Sequence, residues 1–156
     1  MKKGLFFLSF ILLNTACDPP NCYHIGYWYV MNNTDQTFTI SFLRDNSWKD
    51  IDIASMKSFM ISVSVFEYED KIMPYFDRFW EKTAINSVDT LIKIKSIDGV
   101  LLAKWYYSEK DLPGKHFFNE SSWHFYQTPG VCKSQAITAN WIFEILPEDL
   151  TADSKD

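Results

Sequence analysis

The chain has 156 residues, 15 Lys and Arg against 20 Asp and Glu, a formal charge of −5 and a hydrophobic fraction of 47%. That length supports one domain with a sizeable core. The acidic balance is a poor match for nucleic acid, where Lys and Arg must replace condensed counterions, and for a polybasic membrane-surface binder.

Lys2 and Lys3 precede an apolar run over residues 5–13 that only Ser9 relieves, and Asn14, Thr15, Ala16 and Cys17 follow. A basic start, an apolar stretch of about 7–15 residues and a small residue before the cut describe an export signal. The run is too short to cross ~30 Å of hydrocarbon as a permanent helix. Ala16-Cys17 resembles the end of a bacterial lipobox, with Asn14 standing where Leu, Val or Ile is usual. The resemblance implies that residues 1–16 are removed and that Cys17 becomes the lipid-bearing first residue, so that contact with the membrane runs through its acyl chains. The alternatives are an ordinary cleaved signal that leaves Cys17 a thiol, and an N-terminal core strand. Cleavage before Cys17 removes two lysines and no acid, leaving 13 basic against 20 acidic residues, or −7. Residues 17–21, with Asp18-Pro19-Pro20, read as a stiff polar tether. Residues 22–150 form the domain and 151–156 a polar tail.

In an oxidising compartment Cys22 and Cys132 remain as one even pair, read as a disulfide across most of the domain. A chain-entropy model gives such a loop ~4–5 kcal/mol. Two separate thiols are the alternative. No metal site is expected, because His24 is the only near neighbour of ligand type.

The domain reads as strands. Residues 23–31 alternate through Ile25, Tyr27, Tyr29 and Met31, and residues 37–42 place Phe38, Ile40 and Phe42 on one face. Between them Asn32-Asn33-Thr34-Asp35 is rich in turn formers, which predicts an opening hairpin. A short strand at 51–53 precedes one in which Phe59, Ile61, Val63 and Val65 share a face. Around Pro74, residues Tyr75, Phe76, Phe79 and Trp80 fall at spacings of three and four and predict a short connecting helix. Ile92 and Ile94 alternate with Lys93 and Lys95. Asp98-Gly99 then predicts a type I′ turn into a strand over 100–107. A shorter strand at 123–126 and a long one at 136–146 complete the set. The expected core is Phe38, Ile40, Phe42, Phe59, Ile61, Val63, Ile92, Ile94, Leu101, Trp105, Trp141, Phe143 and Ile145. Thr39, Ser62, Lys93, Lys95 and Asn140 are expected on outer faces. The pattern predicts an all-β fold, an immunoglobulin-like two-sheet antiparallel sandwich with one short helix, with a small barrel as the alternative.

The export signal, the early YVMNNTDQTFTISF, the central LIKIKSIDGVLLAKWY, FFNESSW and the closing WIFEILPEDL together resemble small cell-envelope lipoproteins of Bacteroidetes with an immunoglobulin-like domain. The resemblance covers nearly the whole mature chain and rests on order and spacing. It implies an envelope location, with Asp18 not read as an inner-membrane retention signal and the outer membrane as destination, on its periplasmic or surface face. It transfers no catalytic residues. Asp89-Thr90-Leu91 resembles the O-glycosylation motif of exported proteins of that lineage, which makes Thr90 a candidate.

His24, His116 and His124 are scattered, and no nucleophile elbow, zinc helix, phosphate loop or dinucleotide fingerprint is present. Catalysis and a cofactor are therefore not expected. Carboxylates cluster at Glu67, Glu69 and Asp70 and at Asp45, Asp50 and Asp52, and a pair held at the right separation can hydrolyse a glycosidic bond. Tyr27-Trp28-Tyr29 and Trp105-Tyr106-Tyr107 place rings on both faces of their strands. Trp28 and Tyr106 are the candidates for a ligand platform, since exposed rings stack on sugars or anchor a protein partner. The sequence thus predicts a noncatalytic interaction or accessory module, with a glycan-active enzyme or a surface-fibre subunit as alternatives.

Overall fold

A computed structural model describes residues 23–44, 47–67, 76–77, 91–128 and 137–150. β1 (Tyr23–Asn32), β4 (Ser58–Glu67), β7 (His124–Thr128) and β8 (Ile137–Ile145) form a sheet in the order β4-β1-β8-β7. β2 (Phe38–Arg44), β3 (Ser47–Ile53), β5 (Leu91–Ser96) and β6 (Leu101–Tyr106) form a second in the order β3-β2-β5-β6. All pairings are antiparallel except that of β1 with β8, which is parallel. The sheets do not close, so the chain is a two-sheet sandwich and not a barrel. The connecting helix falls outside the described residues apart from Phe76 and Asp77, which form a turn.

Alternation builds the core. Phe38 and Ile40 of β2, Ile92 and Ile94 of β5, and Trp141, Phe143 and Ile145 of β8 are all within 2% of full burial. Each such side chain gains ~1.5–3 kcal/mol over exposure. Phe143 lies 4.8 Å from Phe117, 5.3 Å from Trp123 and 5.4 Å from Trp105, centroid to centroid. Phe76 closes on the same cluster, 5.4 Å from Trp123.

The opening is not a hairpin. β1 and β2 lie in different sheets, and residues 33–37 carry the chain between them. The cause is Asn32, fully buried, whose Nδ2 donates to the carbonyls of Gln36 and Ile53, both at 2.8 Å. Its Oδ1 accepts from the Thr34 amide at 3.0 Å and the Thr34 hydroxyl at 2.7 Å. One amide thus uses all its bonding capacity to fasten the end of β1 to the end of β3. The turn residues were legible, but their side chains bond across the sandwich.

Two bulges overturn parts of the expected core. Trp28 pairs with Ser62 and Tyr29 with Met60, so Ile61 is an extra residue in β4. Beyond it the inward set becomes Ser62 and Ser64, while Val63 turns outward and is 45% exposed. Phe59 faces inward opposite Val30, but on an edge strand it remains 40% exposed. In β6, Leu102 is the extra residue, so Leu102 packs on the core and Leu101 shares the outer face of Lys95. A bulge reverses every side chain after it, which period-2 reading cannot anticipate.

The β5–β6 connection also differs from the expected type I′ turn. Gly99 has φ 85° and Asp98 no positive φ. The Gly99 amide donates to Ser96 O and the Ser96 amide to Val100 O, a three-residue loop with glycine at its left-handed position. β3 begins earlier than expected, at Ser47, because it pairs residue for residue with β2 although its polar residues show no apolar pattern.

Candidate functional site

β1 is the strand whose facing departs most from its composition. His24, Gly26, Trp28, Val30 and Asn32 are buried, while Ile25, Tyr27, Tyr29 and Met31 lie half-buried on the outer face. The inner set tolerates its small member because Gly26 pairs with Ser64 on one side and Ala139 on the other. Next to that row, Trp28 stacks on Trp141 at 4.8 Å and 8°. Trp28 is therefore 0% exposed and is no ligand platform, a correction to the sequence reading.

The register sets out the outer face of this sheet in rows. One row runs Val63, Tyr27, Asn140, Tyr126 across all four strands, and the next runs Met60, Tyr29, Ile142, His124. Tyr27 and Tyr29 stack at 6.1 Å and 29°. Tyr126 is 50% exposed. Asn140 lies on the outer face as expected, yet is only 7% exposed between its tyrosine neighbours, with its Nδ2 at 3.5 Å from Tyr126 O and Thr138 Oγ1. At the margin His124 Nε2 stands 3.4 Å from Glu144 Oε2. This surface offers ring faces for stacking, phenol hydroxyls and a carboxamide, a combination suited to recognition.

The Tyr29 phenol titrates above its ordinary 10.0, first because it is buried and then because Tyr126 and Tyr27 stand near it. The folded state therefore holds this proton more tightly than the unfolded chain. Its contribution to stability is whole below pH 10.0 and is lost as pH rises through the raised value. Phenolate absorbance should show a late-titrating tyrosine that Tyr29→Phe removes; an unchanged titration of the variant would contradict the cluster.

The other candidates do not join this surface. Tyr106 is half-buried on the outer face of the opposite sheet, so it and Trp28 are not brought together. His116 is 7% exposed, its Nδ1 accepting from the Phe118 amide at 3.3 Å and its Nε2 buried without a partner among the described residues. Burial lowers its pKa against the opposing pull of Glu109 and Asp111, so it sits neutral inside a loop while His124 stands in solvent. Asp50 and Asp52 lie exposed on β3, where Asp52 accepts from Thr39 Oγ1 at 2.7 Å. Cys17, Cys22, Cys132, Thr90, Asp45, Glu69 and Asp70 lie outside the described residues, as does the Glu67 side chain. Among the described residues no three His, Cys, Asp or Glu side chains gather as a metal site.

Sequence reasoning missed Tyr126 and the pairing of Asn140 with Tyr27. The available signal was the composition of β1, whose central tyrosines alternate with Gly26 and Trp28. No protein-family model, curated protein or solved structure matches the chain.

Proposed function

We propose that this is a noncatalytic, lipid-anchored protein of the cell envelope whose β4-β1-β8-β7 sheet docks a protein or glycan partner on its outer face. One observation carries the reading: β1 turns Ile25, Tyr27, Tyr29 and Met31 outward, and β4 beyond its bulge turns Val63 and Val65 outward while Ser62 and Ser64 face inward. Tyr27 and Tyr29 lie half-buried there, Val63 and Val65 are 45% and 54% exposed, and Ser64 is buried with its hydroxyl unpartnered among the described residues. Exposing a valine forgoes ~1.5–3 kcal/mol and an unsatisfied buried hydroxyl costs ~1–3 kcal/mol. Local rules broken at such expense mark functional surfaces.

Cys17 is the anchor in this reading, at the outer membrane, and the Cys22–Cys132 disulfide rigidifies the domain above it. What supports the disulfide is the pairing of His24 with Ile137, because Cys22 precedes His24 by two positions and Cys132 precedes Ile137 by five. The test is capture from native envelope and from glycan arrays with the full-length protein. Tyr126→Ala should weaken capture by tenfold or more, about 1.4 kcal/mol, without changing the melting temperature, and Tyr29→Ala should weaken it as much at temperatures well below its own melting transition. Cys17→Ser should abolish fatty-acid labelling. Undiminished capture by both tyrosine variants would reject the face, and persistent labelling would reject the anchor.

A further inference from the structure

We propose that two copies of this chain pair through β4, antiparallel about a two-fold axis at Ser64, and so join their β4-β1-β8-β7 sheets into one sheet of eight strands. A bare edge presents unpaired backbone groups to any passing strand, and proteins blunt such edges with charge, shortness or a turn. Among the described residues the two sheets have four edges, and three of them are blunted. β3 carries Lys49, Asp50 and Asp52, β7 has five residues, and β6 has six residues including Lys104 before a tight turn at Tyr107–Glu109. β4 is the exception: ten residues without Lys, Arg, Pro or Gly, and with its single charge, Glu67, at the end.

Both flanks of this edge are apolar. Met60, Val63 and Val65 are 42%, 45% and 54% exposed on the outer side. Between β4 and β3 opens a cavity of about 400 Å³ lined by Phe42, Ile51, Phe59, Met60 and Ile61, with Lys49 and Asp50 beside them.

The occupant follows from the register. Beyond the bulge at Ile61 the strand alternates regularly, and Val63-Ser64-Val65 reads the same in both directions. An axis at Ser64 sets Val63 against the partner's Val65, and Val65 against the partner's Val63, on one face. Two cross-strand apolar pairs replace four exposed valines. An axis at Ser62 would run through the bulge and set inward Ile61 against outward Val63. The contact is isologous and closes at two copies. It brings no like charges together, and the two outer faces become continuous, with a tyrosine column on each side of a valine seam. The pairing stands independently of what that face binds.

Sedimentation of the full-length protein in mild detergent should show a concentration-dependent dimer. Val63→Lys combined with Val65→Lys should weaken it about tenfold or more, because like charges then oppose each other across the seam. The exposed positions should leave the circular-dichroism melt unchanged. Should that variant fail to fold, Val63→Cys combined with Val65→Cys decides: oxidation should yield a covalent homodimer absent from the unsubstituted chain. A wild-type monomer at every concentration, a dimer indifferent to the lysines, or cysteines that link to a different envelope protein would each overturn the proposal.

Discussion

Phe143→Ala should lower the unfolding free energy by about 3–5 kcal/mol, read as a reduced urea midpoint with an unchanged slope. Phe143 is fully buried, and its ring is the one on which Trp105, Phe117 and Trp123 converge within 5.4 Å. Trp105 is fixed on β6, and Phe117 and Trp123 are held in the connection to β7 by the bond from Trp123 Nε1 to Phe117 O, so the rings cannot collapse fully into the vacated space and the cavity term adds to the lost transfer energy. The Lys115 ammonium also lies 5.3 Å from that ring while Lys115 pairs with Asp149, so the C-terminal turn Pro147–Asp149 is tied to the same residue. Phe143→Leu should recover much of the loss by filling volume. A loss below 1 kcal/mol in the alanine variant would mean that the aromatic cluster does not carry the core.

Asn32→Ala should cost about 2–4 kcal/mol by the same measurement. Its carboxamide joins the end of β1 to the end of β3, and its removal orphans the buried Ile53 carbonyl and the Thr34 amide. Asn32→Asp should not rescue it, since a carboxylate keeps the acceptor, loses both donors and buries a charge. Thr39→Ala removes a hydrogen bond of similar length, 2.7 Å to Asp52, yet should cost well under 1 kcal/mol because water replaces that partner on the surface. Equal losses from Asn32 and Thr39 would refute the role given to the buried amide.

Much of the sandwich was legible because a half-buried strand writes its facing into every second residue. Phe38, Ile40 and Phe42, and likewise Trp141, Phe143 and Ile145, were readable for that reason. The errors share a cause. Ile61 and Leu102 are single-residue insertions whose effect is tertiary, and nothing local distinguishes a bulged Ile61 from a regular one. Asn32 reads locally as a turn former, whereas its bond to Ile53 spans twenty-one residues. The outer-face site was illegible for a stronger reason: Tyr27 and Tyr29 were counted among the apolar positions of β1, whereas the core took Trp28 and Gly26. Along β1 hydrophobicity therefore does not point inward.

The parallel pairing of β1 with β8 bears on how the molecule comes into being. His24 meets Ile137, 113 positions further along, and nine successive register pairs depend on that encounter. Until β8 arrives, β1 at the middle of its sheet has β4 alone beside it, and Trp28 has no Trp141 to stack on. Closing so long a loop places this topology among slow folders, in the millisecond-to-second range. A nascent chain would remain open until its last strand has been delivered, and synthesis halted before residue 137 would leave a half-built sheet with a tryptophan at its raw edge.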